Sequence, residues 1–77
     1  MEIRILTFGQ IADITGSTEF KISDVKTTEE LSSKLAEVFP GLSSIKYAIA
    51  VNHKVVHSNT ELKNEDTVAF LPPFSGG

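Results

Sequence analysis

Cysteine is missing from this chain. Its absence excludes a disulfide, a thiolate metal site and a cysteine nucleophile. The domain must therefore hold together by packing, and the composition fits a reducing compartment. Clustered basic charge is missing too. Seven Lys and Arg are scattered from Arg4 to Lys63, the net charge is −3 and the pI is about 5.2. That balance argues against a phosphate backbone as partner. No apolar run approaches the ~20 residues of a membrane span. Glu2 stands where a signal peptide would carry positive charge. These absences predict a soluble, cytoplasmic protein with neither nucleic acid nor membrane as partner. At 77 residues the chain makes one small domain, and a domain of this size buries only about 60% of its unfolded surface.

What is present alternates. In "EIRILTF" Ile3, Ile5 and Thr7 point one way, and Arg4, Leu6 and Phe8 the other, which predicts a strand. "GQIADITG" breaks it at Gly9, gives Ile11 and Ile14 helical spacing, and ends at Gly16, a cap for a short turn of helix. "STEFKIS" predicts a second strand. In "TTEELSSKLAEVFPG", Thr27 and Glu30 form a capping box. Leu31, Leu35, Val38 and Phe39 fall on one helical face, and Pro40-Gly41 ends the helix. "IKYAIAVN", "HKVVHS" and "TVAFLPP" predict three more strands, the last stopped by Pro72-Pro73.

The order β, β, α, β, β, β predicts an α+β β-grasp domain. Its mixed sheet has about five strands, with one main helix across one face. The first two strands form a hairpin and the last lies beside the first. Residues 1–73 make the domain, and residues 74–77 a flexible tail. Ile3, Ile5, Ile49, Val51, Val68 and Phe70 can face the helix. Leu6, Phe8, Ala48, Ala50, Val55, Ala69 and Leu71 remain for the other side, which one helix cannot also cover. Large exposed apolar patches are uncommon on monomers, so this face is expected to meet a partner.

The sequence ends on "PPFSGG". Two prolines stiffen the exit from the last strand. Extended, Phe74 to Gly77 reach about 13 Å, and glycines without side chains can thread a channel too narrow for other residues. The group such a tail delivers is the Gly77 carboxylate. A carboxylate is a poor electrophile and needs activation, for example as an acyl-adenylate. An amine then makes the domain a protein modifier, whereas sulfide or a persulfide makes Gly77 a thiocarboxylate and a sulfur donor.

"IRILTFGQIADITG", "IAVNHKVV" and above all "DTVAFLPPFSGG" resemble the small, sulfur-carrying subunit of molybdopterin synthase, the MoaD family, over essentially the whole chain. The resemblance implies a ubiquitin-like β-grasp fold. It implies adenylation of Gly77 with ATP by an enzyme related to ubiquitin activators, then thiocarboxylate formation from a sulfur donor protein. Insertion of the tail into a large catalytic subunit follows, with transfer of sulfur to a cyclic pyranopterin monophosphate to build the molybdopterin dithiolene. Two carriers and a large-subunit dimer make the typical heterotetramer. Carried over by position, Phe8, Val55 and Leu71 contact the large subunit, with Leu6 on the same face. Pro72, Pro73, Phe74 and Ser75 belong to the inserted tail, and Gly76 and Gly77 to its reacting end. Acid-base groups and the substrate pocket belong to the partners, so the chain binds no cofactor or metal and is better described as a co-substrate subunit than as an enzyme.

Other residues carry plainer readings. His53 and His57 lack a third ligand for a metal. Glu29-Glu30 caps a helix. Glu65-Asp66 forms a turn, or meets a basic surface on the activating enzyme. Ser75 has no base beside it by motif. Three alternatives stay open: a thiamine-pathway sulfur carrier, a ubiquitin-like protein modifier, and a binding module with inert glycines. Against the first stand the chain's length, the "GQIADITG" insertion and the Pro-Pro pair.

Overall fold

The alternation of the first strand carries into the fold. The computed structural model describes residues 1–72. Pro73, Phe74, Ser75, Gly76 and Gly77 lie outside the described residues, and with them the expected tail at 74–77. Strand β1 (Glu2–Thr7) buries Ile3, Ile5 and Thr7. The Thr7 hydroxyl, inside the core, donates to the Ser17 carbonyl. A buried hydroxyl without such a partner costs stability, and among the described residues no buried side-chain polar atom lacks one.

Gly9 leaves the strand at φ +56 and opens helix α1 (Gly9–Thr15). At seven residues α1 makes about two turns, longer than the single turn expected. Gly16, at φ +77, closes it with its N–H on the Ala12 carbonyl, the left-handed cap expected there. Strand β2 (Glu19–Ser23) returns antiparallel to β1, Ile3 opposite Ile22 and Ile5 opposite Phe20. The predicted hairpin is therefore present as a pairing, with a helix for its loop.

Helix α2 (Thr28–Val38) begins with each first-turn donor satisfied. The Thr28 N–H donates to the Thr60 carbonyl (2.9 Å), Glu29 N–H to Asn59 Oδ1 (3.0 Å) and Glu30 N–H to Thr27 Oγ1 (3.2 Å). Half of the expected capping box differs. Glu30 Oε1 accepts from the N–H of Lys26 (3.0 Å), one residue before the cap, in place of the N–H of Thr27. Removing the Thr27 hydroxyl by Thr27→Ala strands one donor. The expected cost is about 1 kcal/mol, a fall in melting temperature of roughly 4–8 °C for a domain this small, read by thermal denaturation.

Leu31 and Leu35 enter the core as predicted. Val38 does not: at the last residue of α2 it is 60% exposed. Pro40 and Gly41 end the helix but begin a 3-10 turn, Pro40–Ser44, absent from the sequence reading. That turn sends Leu42 into the core instead, while the Phe39 ring packs 6.2 Å from that of Phe20. Strand β3 (Ala48–Val51) starts later than "IKYAIAVN" suggested, since Ile45 caps the 3-10 turn and Tyr47 packs its ring 5.0 Å from that of Phe70.

Asn52 and His53, at φ 50 and 74, make a two-residue hairpin turn into β4 (Lys54–Val56). Strand β5 (Thr67–Leu71) completes a five-stranded sheet in the order β2-β1-β5-β3-β4. β5 runs parallel to β1 and antiparallel to β3, which makes the sheet mixed. This is the α+β β-grasp architecture. Its core is Ile3, Ile5, Val68 and Phe70 from the sheet, Leu31 and Leu35 from α2, and Ile11, Val25, Leu42 and Leu62 from around them. Among the described residues no helix is long and apolar enough to cross a membrane.

Candidate partner face and tail root

The sheet face turned away from α2 is built by register. Leu6 of β1 lies opposite Ala69 of β5, Ala69 opposite Ala50 of β3, and Ala50 opposite Val55 of β4. Opposed residues point to the same side. One row of carbon-only side chains therefore crosses four strands, about 14 Å at the usual strand spacing. A second row lies beside it, where Leu71 opposes Ala48. Phe8 continues β1 alongside Leu71, because Thr7 is opposite Phe70. Phe8 is 45% exposed and Val55 51%. Leu6, Ala48, Ala69 and Leu71 are half-buried. Ala50, expected to be open, is only 5% exposed; its short side chain lies on β3, which is flanked by β5 and β4.

The other end of this face is charged. Arg4 pairs with Glu19 (Nε to Oε2, 3.2 Å) and Lys21 with Glu2 (3.6 Å), all about half exposed. Exposed pairs of this kind contribute little stability, but they frame the apolar rows with matched charge. Alternation had already put Arg4 on the side of Leu6; the cross-strand pairing with β2 was not legible from one strand.

Glu65-Asp66 is a turn, as read from the sequence. Asp66 accepts from Asn52 Nδ2 (2.9 Å) through Oδ1 and from the Lys63 N–H (2.8 Å) through Oδ2. Asn52 in turn accepts from the Thr67 N–H (2.9 Å). The Asp66 carboxylate is thus committed to pinning the β3–β4 turn to the start of β5. No group of three or more His, Cys, Asp or Glu able to hold a metal occurs among the described residues.

Pro72 follows β5 and stands at the root of the tail. A Cβ added to Gly9 would lie 3.7 Å from Pro72 Cγ, so the two residues are near one another where β1 and β5 both end. Of the predicted site residues, Leu6, Phe8, Val55 and Leu71 share one face and Pro72 leaves from its edge. Pro73 to Gly77 fall outside the described residues.

This arrangement can bind an apolar surface and direct a chain segment away from it. Comparison with known proteins agrees in fold and in sequence. The molybdopterin synthase sulfur carrier subunit of Chlamydomonas reinhardtii is 32% identical, with 100% of both chains covered. A Helicobacter pylori structure, a complex of subunits 1 and 2 of molybdopterin-converting factor, contains a chain 30% identical at a TM-score of 0.74, again with 100% of each chain covered. The small archaeal modifier protein 1 of Methanosarcina acetivorans shares the fold, with a TM-score of 0.84 at 21% identity over 99% of this chain and 96% of that one. The sequence model of the ThiS family matches residues 5–77. The chain is therefore a member of the ThiS family, a β-grasp protein whose sheet presents one apolar face beside the root of its C-terminal segment.

Proposed function

We propose that this protein is the sulfur-carrier subunit of a molybdopterin synthase. The observation that carries the reading is the pair of apolar rows, Leu6–Ala69–Ala50–Val55 and Phe8–Leu71–Ala48, ending at Pro72, from which the glycine-terminated segment departs. The full-length likeness to a carrier subunit of that name supports it, as does the likeness to a chain found in a complex of subunits 1 and 2. The apolar face docks on a large catalytic subunit, in a heterotetramer of two carriers and a large-subunit dimer. The tail reaches into that subunit's pocket.

The chemistry runs through the Gly77 carboxylate. A ubiquitin-activator-like enzyme transfers AMP from ATP to it, releasing pyrophosphate. A persulfide on a sulfur donor protein displaces AMP, forming a carbon–sulfur bond. A second thiol then attacks the donor's inner sulfur, forming a disulfide with it, and leaves the outer sulfur on Gly77 as the thiocarboxylate. In the synthase the sulfur passes to the cyclic pyranopterin monophosphate, and water returns an oxygen to Gly77. The carrier supplies no acid or base to these steps. Its role is to dock and to deliver, and the ATP-dependent step fits a cytoplasmic setting.

Intact-mass measurement tests this reading. Incubation with an activating enzyme, ATP and a sulfur source should raise the mass by about 16 Da, one oxygen exchanged for sulfur. An unchanged mass, with the same enzymes active on another carrier, would overturn it.

A further inference from the structure

We propose that the free edge of β2 is a self-recognition site, through which two copies of this chain pair antiparallel about a two-fold axis. This pairing is independent of the carrier function proposed above.

β2 is an outer strand of the sheet, bonded to β1 on one side only. The phase of that pairing shows which backbone groups are spare. The Thr7 N–H donates to the Thr18 carbonyl (3.0 Å), and bonded and non-bonded pairs alternate along an antiparallel ladder. Ile5 lies opposite Phe20 and Ile3 opposite Ile22, so Phe20 and Ile22 bond to β1. Glu19, Lys21 and Ser23 therefore turn their N–H and C=O groups outward. Their surroundings agree: from the open side, Lys34 Nζ donates to the Ser23 carbonyl (2.7 Å) and the Ser17 hydroxyl to the Glu19 carbonyl (2.9 Å). Between these two capped positions both backbone groups of Lys21 stay open. Such an edge is a template for another strand.

One register suits a second copy. Outward groups must meet outward groups, so Glu19, Lys21 and Ser23 can oppose only one another. Lys21 opposite Lys21, or Glu19 opposite Glu19, sets like charges face to face, which destabilises a strand pair. Lys21 opposite Ser23 calls on a carbonyl that Lys34 already occupies. Glu19 opposite Lys21 of the second copy remains. The two-fold axis then makes two such pairs, each exchanging both backbone bonds beneath an ion pair. The Glu19 carbonyl has a second lone pair for its bond. On the α2 side Phe20 meets Phe20 of the second copy, and this residue is half-buried in the single chain. A lysine on an edge ordinarily deters pairing; here the facing acid removes the deterrent. Acid, spacer, base is complementary to its own reversal, as a two-fold contact requires. The axis stands perpendicular to the sheet, so both apolar faces stay on one side and uncovered.

An edge this short makes a weak dimer, with a dissociation constant on the order of 100 µM. Sedimentation equilibrium of the full chain, at concentrations spanning that value, should show reversible dimers. Glu19→Lys and Lys21→Glu should each weaken self-association by about tenfold or more. Mixed together, the two variants should associate with each other within about threefold of the parent, because every opposed pair again joins unlike charges. The Arg4–Glu19 and Lys21–Glu2 pairs that these changes also break are exposed and contribute little to stability, and circular dichroism checks the fold. A parent that stays monomeric across the series would overturn the inference. So would dimers indifferent to the single reversals, or variants that do not associate when mixed.

Amide hydrogen exchange locates the contact. Exchange at the Glu19 and Lys21 N–H groups should slow as concentration rises, whereas Phe20 and Ile22 should be protected at every concentration. Exchange at Glu19 and Lys21 that ignores concentration would overturn the inference even where dimers form.

Discussion

Deleting Gly77 is expected to abolish sulfur loading completely while the domain melts at the temperature of the intact chain. On the proposed chemistry the only group that changes bonding partners on this protein is the carboxylate of residue 77. A chain ending at Gly76 still presents a carboxylate, but one residue short, about 3.3 Å from where the activating enzyme expects it. Transfer chemistry does not tolerate such a gap, because the reacting atoms must approach within about 3–3.5 Å in a defined direction. Stability should be untouched, since the described core runs from Ile3 to Phe70 and stability is lost mainly through core, cap and buried polar defects. Intact mass after loading and a melting curve test both halves. A shortened chain that still gains sulfur would remove Gly77 from its assigned role.

The second large effect concerns docking. Phe8→Asp or Leu71→Asp should each weaken binding to the large subunit by about 1000-fold or more, which corresponds to about 4 kcal/mol. Lost apolar burial supplies about 1.5–3 kcal/mol, and a carboxylate forced into an apolar contact without a partner supplies the rest. The fold should survive, because Phe8 is 45% exposed and Leu71 points away from the α2 side. Co-purification and titration calorimetry give the readout, with circular dichroism as the folding control. A variant that still co-purifies would show that this face is not the contact.

Much of this architecture was legible because local pattern and global fold agree. The alternation from Glu2 to Thr7 told which residues of β1 are buried, and the same alternation in "TVAFL" told which of β5 are. Thr27, Leu31 and Leu35 announced α2 and its buried stripe. The readings that failed depend on contacts between distant residues. Asn59 caps α2 from 30 residues away, and that long-range contact leaves no periodic trace. Val38 obeys the helical period, yet the period does not reveal that the 3-10 turn will send Leu42 inward in its place. In the candidate site, the shared face of Leu6, Phe8, Val55 and Leu71 followed from alternation plus the guess that the last strand lies beside the first. That β1 and β5 leave the sheet at one end needed the register itself, Thr7 opposite Phe70.

The parallel pairing of β1 with β5 has a consequence for synthesis. The two strands at the middle of the sheet come from opposite ends of the chain, so the centre cannot close until Thr67 to Leu71 have been made. Contacts so far apart in sequence form slowly and late. A ribosome product that stops before Thr67 lacks a central strand and is left with unpaired edges, the kind of species that aggregates or is removed. Folding thus waits on β5: a chain that reaches the native state has been translated at least through Leu71.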